Sequence, residues 1–354
     1  MTETLLDVIQ RMPKVELHRH LEGSMRLTTL LEIARTYDNE LKEMELERLR
    51  PFVQMTEGQP FSSQSFLSKF RVLRQFYNSP ETIRRITREA VIDAAEDNVR
   101  YMELRFTPKA LCNVLLCDYF EVMDWVCDTV EATVAEYPSI KVRLLVSMNR
   151  HEGAEIGREV LQVALRYRNR GVVGIDLAGQ EKGVPSLPFA PIFHEALAEG
   201  LHTTVHAGEW EGAQSVVVAL NDLRAERIGH GIRAIEDHRV VALLAERQIT
   251  LEVCPTSNKH SGVVHELEQH PLVDLFHAGV RTTINTDDPL ISNINLTTEL
   301  LDAMFTMHFT LAEIQAQTMN AARAAFLPQS ERAELINEFE LWFKNNPLQT
   351  AGQP

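Results

Sequence analysis

Histidine and aspartate residues with the chemistry of metal ligands stand at separate points of this sequence. They are His18, His20, His206 and Asp287, and each comes at the end of a short apolar run typical of a buried β-strand. Neutral imidazoles with one carboxylate suit zinc and its neighbours among the divalent metals. Because the strands of an α/β barrel all open at one face, residues from opposite ends of the chain can meet there at one ion. We therefore predict a metal site.

Two groups that can move protons lie close to these candidate ligands in the sequence. Glu209 follows His206 after an Ala-Gly pair, and His230 stands between Gly229 and Gly231. A glutamate in such a turn is commonly a helix cap or a solvated residue, and an isolated histidine is as often a core residue. Beside a metal, an ionisable group within reach of the substrate can instead deliver or accept a proton. We therefore predict that Glu209 and His230 are catalytic.

Asp287 and Asp288 form a pair of adjacent carboxylates before Pro289. Such a pair repels itself unless one member binds a cation or keeps its proton. An exposed acidic turn is the simpler interpretation of the pattern. The position after the last predicted strand, at the mouth of the predicted barrel, favours a functional pair instead.

These residues need a fold in which many strand ends converge. Apolar runs alternate with stretches that carry apolar residues at three- and four-residue spacing, as amphipathic helices do. The eight predicted strands are 15–18, 100–106, 142–147, 172–177, 203–206, 227–230, 250–253 and 282–286. The predicted helices are 80–98, 119–136, 153–170, 189–201, 213–223, 237–247 and 270–278.

This alternation predicts an α/β fold, a (β/α)8 TIM barrel, because parallel strands need crossover connections and a right-handed series of them can close. An open doubly wound sheet is the alternative, but no glycine-rich phosphate loop follows a predicted strand. A helical insertion after strand 1 includes a charged stretch at 40–50 and an aromatic stretch at 61–76. The tail 296–346 predicts two or three extra C-terminal helices that cover the barrel base. Without a linker or an internal repeat, 1–354 is expected to be one domain.

Composition restricts the classes of partner. The chain has 354 residues, 44% of them hydrophobic, and a net charge of −15, so it can bury a large core but lacks the basic surface that nucleic acids need. A small uncharged or cationic substrate is expected. The first ten residues lack the apolar core of a signal peptide, no run is long enough to span a membrane, and the four cysteines show no disulfide framework. We expect a cytoplasmic protein, and the sequence indicates no particular oligomeric state.

Five motifs resemble the adenosine deaminase family of the amidohydrolase superfamily in their order and spacing. They are VELHRHLEGS at 15–24, GIDLAG at 174–179, HAGE at 206–209, RIGHG at 227–231 and NTDDP at 285–289. The resemblance extends from about residue 13 to residue 327. It implies hydrolytic deamination of adenosine, with 2′-deoxyadenosine, to inosine and ammonia by a zinc-activated water that attacks purine C6. The zinc-deaminase signature H-x-E with P-C-x-x-C is absent.

The resemblance also implies roles for individual residues. The implied ligands of one Zn²⁺ per chain are His18, His20, His206 and Asp287, with a water completing the site. The implied catalytic residues are Glu209, which protonates purine N1, His230, which orients or deprotonates the water, and Asp287. The implied substrate-binding residues are His20, Glu22, Gly179 (backbone N–H to N3), Asp288 (protonated, to N7), and Phe66 and Phe70, an apolar gate.

Single residues that differ among relatives bear on the number of metal ions and on the substrate. Two-metal relatives carry a lysine on the fourth strand, and 173–177 has none, so one metal is expected. Adenosine-specific relatives commonly have an aspartate where this chain has Glu22, and the Leu-Glu-Gly variant also occurs in adenine deaminases and in deaminases of modified or extended nucleosides. The sequences at 227–230 and 176–179 favour adenosine. A non-purine amidohydrolase and a non-catalytic zinc protein are less favoured alternatives.

Overall fold

Eight parallel strands form the centre of the protein. The computed structural model describes residues 4–37 and 41–346, and its strands pair in sequence order from first to last. They are β1 (Lys14–His20), β2 (Val99–Phe106), β3 (Lys141–Asn149), β4 (Val172–Ala178), β5 (His202–Ala207), β6 (Arg227–His230), β7 (Thr250–Val253) and β8 (Arg281–Ile284). Nearly every strand residue is buried, as in a parallel sheet covered by helices. The predicted TIM barrel is confirmed.

Helices connect the strands and surround them. They are α1 (Leu5–Arg11), α2 (Leu27–Thr36), α3 (Leu46–Val53), α4 (Ser63–Leu73), α5 (Pro80–Glu96), α6 (Pro108–Cys112), α7 (Tyr119–Glu136), α8 (Ala154–Arg166), α9 (Ala190–Ala198), α10 (Ala213–Asn221), α11 (His238–Arg247), α12 (Pro255–His260), α13 (Leu272–His277), α14 (Pro289–Ser292), α15 (Leu296–Phe305), α16 (Leu311–Ala324) and α17 (Gln329–Asn345). Helix α5 shows how the sequence specifies this wall. The Ser79 hydroxyl caps its N-terminus, Pro80 occupies its first turn, and Ile83, Ile86 and Ala90 bury one face.

The barrel closes at one residue. Asp287, beyond the end of β8, donates its backbone N–H to the His18 carbonyl at 2.9 Å, and its own carbonyl accepts the His20 N–H at 2.8 Å. This short parallel bridge joins the last strand to the first. A candidate metal ligand therefore belongs to the seam that closes the fold.

The eighth strand ends earlier than the predicted 282–286. Beyond Ile284 the Asn285 N–H still donates to the Val253 carbonyl of β7 at 2.8 Å, but side chains replace the backbone ladder toward β1. The Asn285 Oδ1 atom accepts the Leu17 N–H at 2.9 Å, and the Glu16 carboxyl group accepts the Thr286 N–H at 3.1 Å. Two buried polar side chains thus satisfy backbone groups that a continuous ladder would have paired.

The insertion after β1 contains α2, α3 and α4. The charged stretch predicted at 40–50 becomes helical only in α3, after a turn at 41–43, and residue 40 lies outside the described residues. The aromatic stretch at 61–76 forms α4 and a following 3-10 turn, Arg74–Phe76. This segment lies beside the strand ends that hold the candidate site.

The C-terminal segment forms three helices, α15, α16 and α17, as predicted. At the base of the barrel, Val15, Leu17 and Tyr101 pack with Ala322 and Phe339 in a second apolar cluster. The tail therefore seals the end of the barrel opposite the candidate ligands. Among the described residues, none of the helices is both long and apolar enough to cross a membrane.

Candidate active site

The four candidate metal ligands converge at the C-terminal ends of the strands. His18 and His20 lie in β1 and His206 in β5, so the histidines belong to their strands instead of following them, whereas Asp287 follows β8. Asp287 Oδ1 is 3.3 Å from Nε2 of both His18 and His20, and the Nε2 atoms of His20 and His206 are also 3.3 Å apart. The spacing is that of donor atoms facing a common point.

Carboxylates contact the Nδ1 atoms of His18 and His206, so their Nε2 atoms are available to bind a cation. Nδ1 of His18 lies 2.9 Å from the Glu252 carboxylate, and Nδ1 of His206 lies 2.9 Å from Asp176. A carboxylate on Nδ1 fixes the tautomer that presents a lone pair at Nε2, as is usual for metal-binding histidines. His18 Nε2 is buried without a hydrogen-bond partner. Three imidazoles and one carboxylate therefore fit a divalent metal.

His230 lies at the same centre and has a different environment. His18, His206, His230 and Asp287 all bring a donor atom within 4.8 Å of one another, so geometry alone also permits His230 as a ligand. Its Nε2 atom is 3.7 Å from Glu209 Oε2 and 4.0 Å from Asp287 Oδ2. It lies between the candidate acid and the candidate metal carboxylate.

A chain of hydrogen bonds sets the tautomer of His230. His270 Nδ1 accepts the Leu272 N–H at 3.0 Å, so the His270 proton is on Nε2 and points to Asn258 Oδ1 at 3.3 Å. Asn258 then turns its amide N–H toward His230 Nδ1 at 3.1 Å. Neutral His230 therefore carries its proton on Nε2, the nitrogen that faces the site. Burial lowers the pKa of His230 well below its ordinary value, which keeps the ring neutral.

Two functional positions have a strained backbone. His230 and Asp287 have φ of 59° and 60°, a left-handed conformation uncommon for residues with a side chain. The adjacent Gly229 permits close approach, because a Cβ atom there would lie 3.0 Å from His18 Cε1 and 3.2 Å from the His206 Cα atom. The ring of side chains could not be this compact with a larger residue at 229.

A cavity of about 390 Å³ opens over the candidate ligands. This volume falls within the range of small-molecule sites, roughly 300–1,000 Å³. The residues predicted for substrate and catalysis that line it are His20, Glu22, Phe66, Phe70, Gly179, Glu209, His230, Asp287 and Asp288. His206 also lines the cavity, whereas His18 is fully buried beneath it. The structure thus brings the whole predicted set together.

Glu209 is a buried carboxyl group with a perturbed acidity. Burial, followed by the negative charges of Asp287 and Glu181, raises the pKa of Glu209 well above its ordinary value. Its Oε1 atom lies 3.4 Å from the Ser261 hydroxyl. A carboxyl group that keeps its proton near neutral pH can act as a general acid.

The loop that carries Glu209 is held by another carboxylate, Glu181. Its Oε1 accepts the Gly208 N–H at 2.7 Å and the Ser215 hydroxyl at 2.5 Å. Its Oε2 accepts the backbone N–H groups of residues 209, 210 and 211 at 3.0, 2.6 and 3.0 Å. Glu181 is only 2% exposed, so these bonds are shielded from water. The position of Glu209 is therefore defined by Glu181.

The two adjacent aspartates have opposite acidities. Although burial opposes ionisation, the His18 imidazole, whose Nε2 lies 3.3 Å from Asp287 Oδ1, and the other neighbouring imidazoles hold the pKa of Asp287 well below its usual range. Burial, then the charge of Asp287, raises the pKa of Asp288 well above it. Asp288 Oδ1 is buried without a partner and packs so tightly on Gly23 that a side chain at 23 would overlap it. One carboxyl group is suited to a cation and the other to donating a hydrogen bond.

Sequence reasoning missed the residues that support the site. Glu252, Asp176, Asn258 and Glu181 contact the candidate ligands, His230 or the Glu209 loop, and none was predicted to have a role. The available signal was charge inside a predicted buried strand, since Glu252 lies in β7 and Arg105, its 2.7 Å ion-pair partner, lies in β2. A buried charge needs a partner, and here the partners lie beneath the ligands.

A barrel with histidine and aspartate side chains at the strand ends that fit a divalent metal, and a buried carboxyl group of raised pKa beside them, is the arrangement of metal-dependent hydrolases. The model of the adenosine deaminase family matches residues 13–342. The chain belongs to this family, and it is accordingly a hydrolytic deaminase.

Related proteins show how broad this family is. An adenosine deaminase from Serratia proteamaculans is 38% identical over 92% of this chain and 97% of its own length, and one from Pectobacterium atrosepticum is 36% identical over 92% and 96%. Among solved structures, an adenine deaminase from Arthrobacter aurescens is 27% identical, with a TM-score of 0.86 over 94% of this chain and 99% of its own. The N6-methyl-AMP deaminase of Arabidopsis thaliana is 29% identical, with a TM-score of 0.83 over 96% and 99%.

Proposed function

We propose that this chain is a zinc-dependent enzyme that converts adenosine and 2′-deoxyadenosine to inosine and 2′-deoxyinosine with release of ammonia. The observation that carries the proposal is the convergence of His18, His20, His206 and Asp287 at the cavity that also contains the buried Glu209 carboxyl group. The adenosine deaminases among the relatives, which align over nearly the whole chain, favour the same reaction.

The metal ligands in this proposal are His18, His20, His206 and Asp287, which hold one zinc ion. Zinc bound to such a set supplies a water whose pKa is lowered to about 7, so that it is a strong nucleophile at neutral pH. The Glu252 and Asp176 carboxylates on the Nδ1 atoms keep His18 and His206 oriented. We propose one ion per chain because β4 offers no lysine to bridge a second.

Glu209 is the proposed general acid. Attack at purine C6 places electrons on N1, and a proton from the neutral Glu209 carboxyl group at N1 neutralises them. The Glu209 carboxylate then takes up the proton that the attacking water loses, and the proton of the new C6 hydroxyl passes to the amino group as the C6–N bond breaks and ammonia leaves. A positioned acid of this kind contributes a rate factor on the order of 10²–10⁴. The raised pKa of Glu209 supports the role, because the group must hold its proton until attack occurs.

His230 is proposed to orient the attacking water. Its Nε2–H faces the centre between Glu209 and Asp287, while its Nδ1 is occupied by Asn258. In this tautomer the ring donates a hydrogen bond to the water oxygen and directs a lone pair at C6. Of the two roles that the sequence left open, the hydrogen-bond chain favours orientation over deprotonation.

The remaining cavity residues bind the substrate in this proposal. The Gly179 N–H bonds to purine N3, and Asp288, whose Oδ1 has no partner in the protein, bonds as a neutral acid to N7. Gly179 has φ of 80°, and a Cβ there would lie 2.9 Å from His151, so this close approach requires glycine. Phe66 and Phe70, with ring centres 6.3 Å apart, cover the purine.

Glu22 is the proposed contact of the sugar. One carboxyl oxygen accepts the Thr107 N–H at 2.7 Å, and the other is buried without a partner at the cavity wall. A ribose hydroxyl supplies the missing donor. The cavity is much larger than a bare purine, which favours a nucleoside over adenine.

A second candidate is a deaminase of a modified or phosphorylated adenine nucleoside. Glu22 replaces the aspartate that is usual beside adenosine, and a solved structure that superimposes on this chain with a TM-score of 0.83 is an N6-methyl-AMP deaminase.

We also propose that the chain is one cytoplasmic domain, supported by its four free cysteines.

Ammonia release from adenosine, 2′-deoxyadenosine, adenine, AMP and N6-methyl-AMP tests the proposal. Adenosine is expected to exceed adenine in kcat/KM by a factor on the order of 10⁴, since a site built to bond a hydroxyl rejects analogues that lack it. Comparable kcat/KM values for adenine and adenosine would indicate that the enzyme is an adenine deaminase. No release from any of the five would overturn it.

A further inference from the structure

Cationic side chains border the same cavity without partners. Arg71 in α4 and Arg74 in the following turn line the cavity, and the Nε atom of Arg74 is buried without a hydrogen bond. Lys109 does not line the cavity, but its charge and that of Arg74 add to burial in lowering the pKa of the cavity residue His151. The charge of Arg74 also reaches Glu22, where it opposes the burial that raises the pKa of that carboxyl group to about 7. Within residues 4–37 and 41–346, no side-chain hydrogen bond or ion pair is formed by Arg71, Arg74 or Lys109.

Free cations at a cavity are unexpected in a chain with 50 acidic and 35 basic side chains. Several arginines outside the cavity pair with carboxylates, as Arg85 does with Glu32 at 2.6 Å and Arg170 with Asp128 at 2.6 Å. A buried donor without an acceptor costs free energy, and the cost is larger for a charged group. An oxygen on the ligand would remove it.

The position of these cations indicates which part of the ligand they meet. Arg74 is followed by Tyr77, whose hydroxyl donates to the Glu22 carbonyl at 3.1 Å, so the cationic segment is anchored beside the proposed sugar contact. Lys109 likewise follows Thr107, whose N–H holds the Glu22 carboxyl group. The proposed proton donor Glu209 and the residues proposed to hydrogen-bond the purine, Gly179 and Asp288, belong to other segments of the wall.

We propose that Arg74, assisted by Arg71 and Lys109, binds an oxyanion attached to the sugar end of the substrate. The preferred substrates are then adenine nucleosides that carry a phosphate or a carboxylate at the 5′ position, and adenosine is the smaller, slower substrate. This inference rests on the proposed function and names its substrate class. The competing interpretation is that Arg74 donates only to a neutral sugar hydroxyl.

Kinetics with three substrates separate these interpretations. We would measure kcat/KM for adenosine, AMP and adenosine-5′-carboxylate with the unmodified enzyme, Arg74→Met, Arg74→Lys and the surface control Arg88→Met, which lies in an exposed pair with Glu136. AMP or the carboxylate is expected to exceed adenosine by about tenfold or more, the size of one charged hydrogen bond. Arg74→Met should remove most of that ratio, Arg74→Lys should keep part of it, and Arg88→Met should not change it. The anion with the higher kcat/KM relative to adenosine shows whether the site prefers a phosphate or a carboxylate.

Equal loss for adenosine and both anions in Arg74→Met would support the hydroxyl interpretation and overturn the proposal. If Arg74→Met does not fold, judged by its melting temperature, Arg71→Met and Lys109→Met give the same comparison.

A binding measurement distinguishes failure of the anion site from failure of the proposed reaction. By calorimetry, IMP is expected to bind about tenfold or more tightly than inosine, and Arg74→Met should reduce this difference. Equal binding of IMP and inosine beside rapid turnover of adenosine would overturn the anion site alone. A selective IMP site in a protein that deaminates nothing would overturn the reaction alone.

Discussion

Glu181 offers the sharpest test of how this site is built. Its two oxygens accept five hydrogen bonds, four of them from consecutive backbone N–H groups of the loop that carries Glu209. The change Glu181→Gln keeps the size of the side chain but replaces one acceptor oxygen with an NH2 group that can only donate. Because every backbone partner is itself a donor, no orientation of the amide satisfies them all.

The cost follows from counting these bonds. If the amide oxygen faces residues 209–211, the NH2 group is opposed to the Gly208 N–H, one charge-assisted bond is lost, and three become neutral. With roughly 1.5–3 kcal/mol for a bond to a charged group and about 1 kcal/mol for a neutral one, the loop loses about 3–9 kcal/mol of support. A displacement of about 1 Å at a catalytic group can cost on the order of 10² in rate. We expect kcat to fall about 10- to 100-fold, with little change in KM.

The assay must separate positioning from general weakening of the fold. Glu181 also contributes, after burial and Asp287, to the raised pKa of Glu209, so removing its charge should move the alkaline limb of the kcat/KM profile to lower pH. Glu211→Gln is the matched control, since Glu211 lies on the same loop and its side chain accepts a single hydrogen bond from the described residues, the exposed one from the Gly183 N–H at 2.9 Å. Zinc content by elemental analysis should remain unchanged in both variants.

A Glu181→Gln enzyme with an unchanged pH profile and unchanged kcat, but a lower melting temperature, would refute this reasoning. Glu181 would then be part of the scaffold only. Loss of zinc in this variant would also refute it, because Glu181 is expected to position the loop after β5 and not the metal ligands.

Three further predictions follow from the same geometry. His206→Ala should lose zinc and activity together, whereas the unmodified protein should contain one equivalent; two equivalents in active enzyme would contradict the single site. Glu209→Gln should retain zinc and lower kcat by about a hundredfold or more, and near-normal turnover would remove its role as the acid. Burial raises the pKa of Glu299 to about 8 from an ordinary 4.5, so its contribution to folding is present at low pH and is lost as pH rises through about 8. Glu299→Gln should therefore flatten the decline of melting temperature from about pH 5 to about pH 8, and an equally steep decline would count against it.

The sequence predicted the parts of the fold that depend on local pattern. Strands 227–230 and 250–253 and helix 119–136 have their predicted bounds in β6, β7 and α7. Errors concentrate where side chains alter the backbone locally. The predicted helix at 270–278 starts only at Leu272 because Pro271 precedes its first turn, and β8 stops where Glu16 and Asn285 take over backbone pairing.

The candidate metal ligands were predictable from the sequence, whereas the residues that support them were not. Residues such as His18, His206 and Asp287 stand in short motifs at strand ends, where type and spacing suggest a ligand. Glu252 and Glu181 act through contacts between distant segments, 234 residues apart for Glu252 and His18. No local pattern encodes such a pairing, which only the closed barrel creates.

Asp287 shows why closure and chemistry are inseparable in this protein. Its backbone makes the bridge from the end of β8 to β1, its φ of 60° turns the side chain inward, and its Oδ1 then lies 3.3 Å from two imidazoles of β1. A carboxylate in a conformation that costs on the order of 1–3 kcal/mol persists only if the surroundings define it fully. Here the Ser257 hydroxyl, bonded to Oδ2 at 2.6 Å, and the bridge to β1 do so. The strain thus lies at the seam where the proposed metal ligands from both ends of the chain meet.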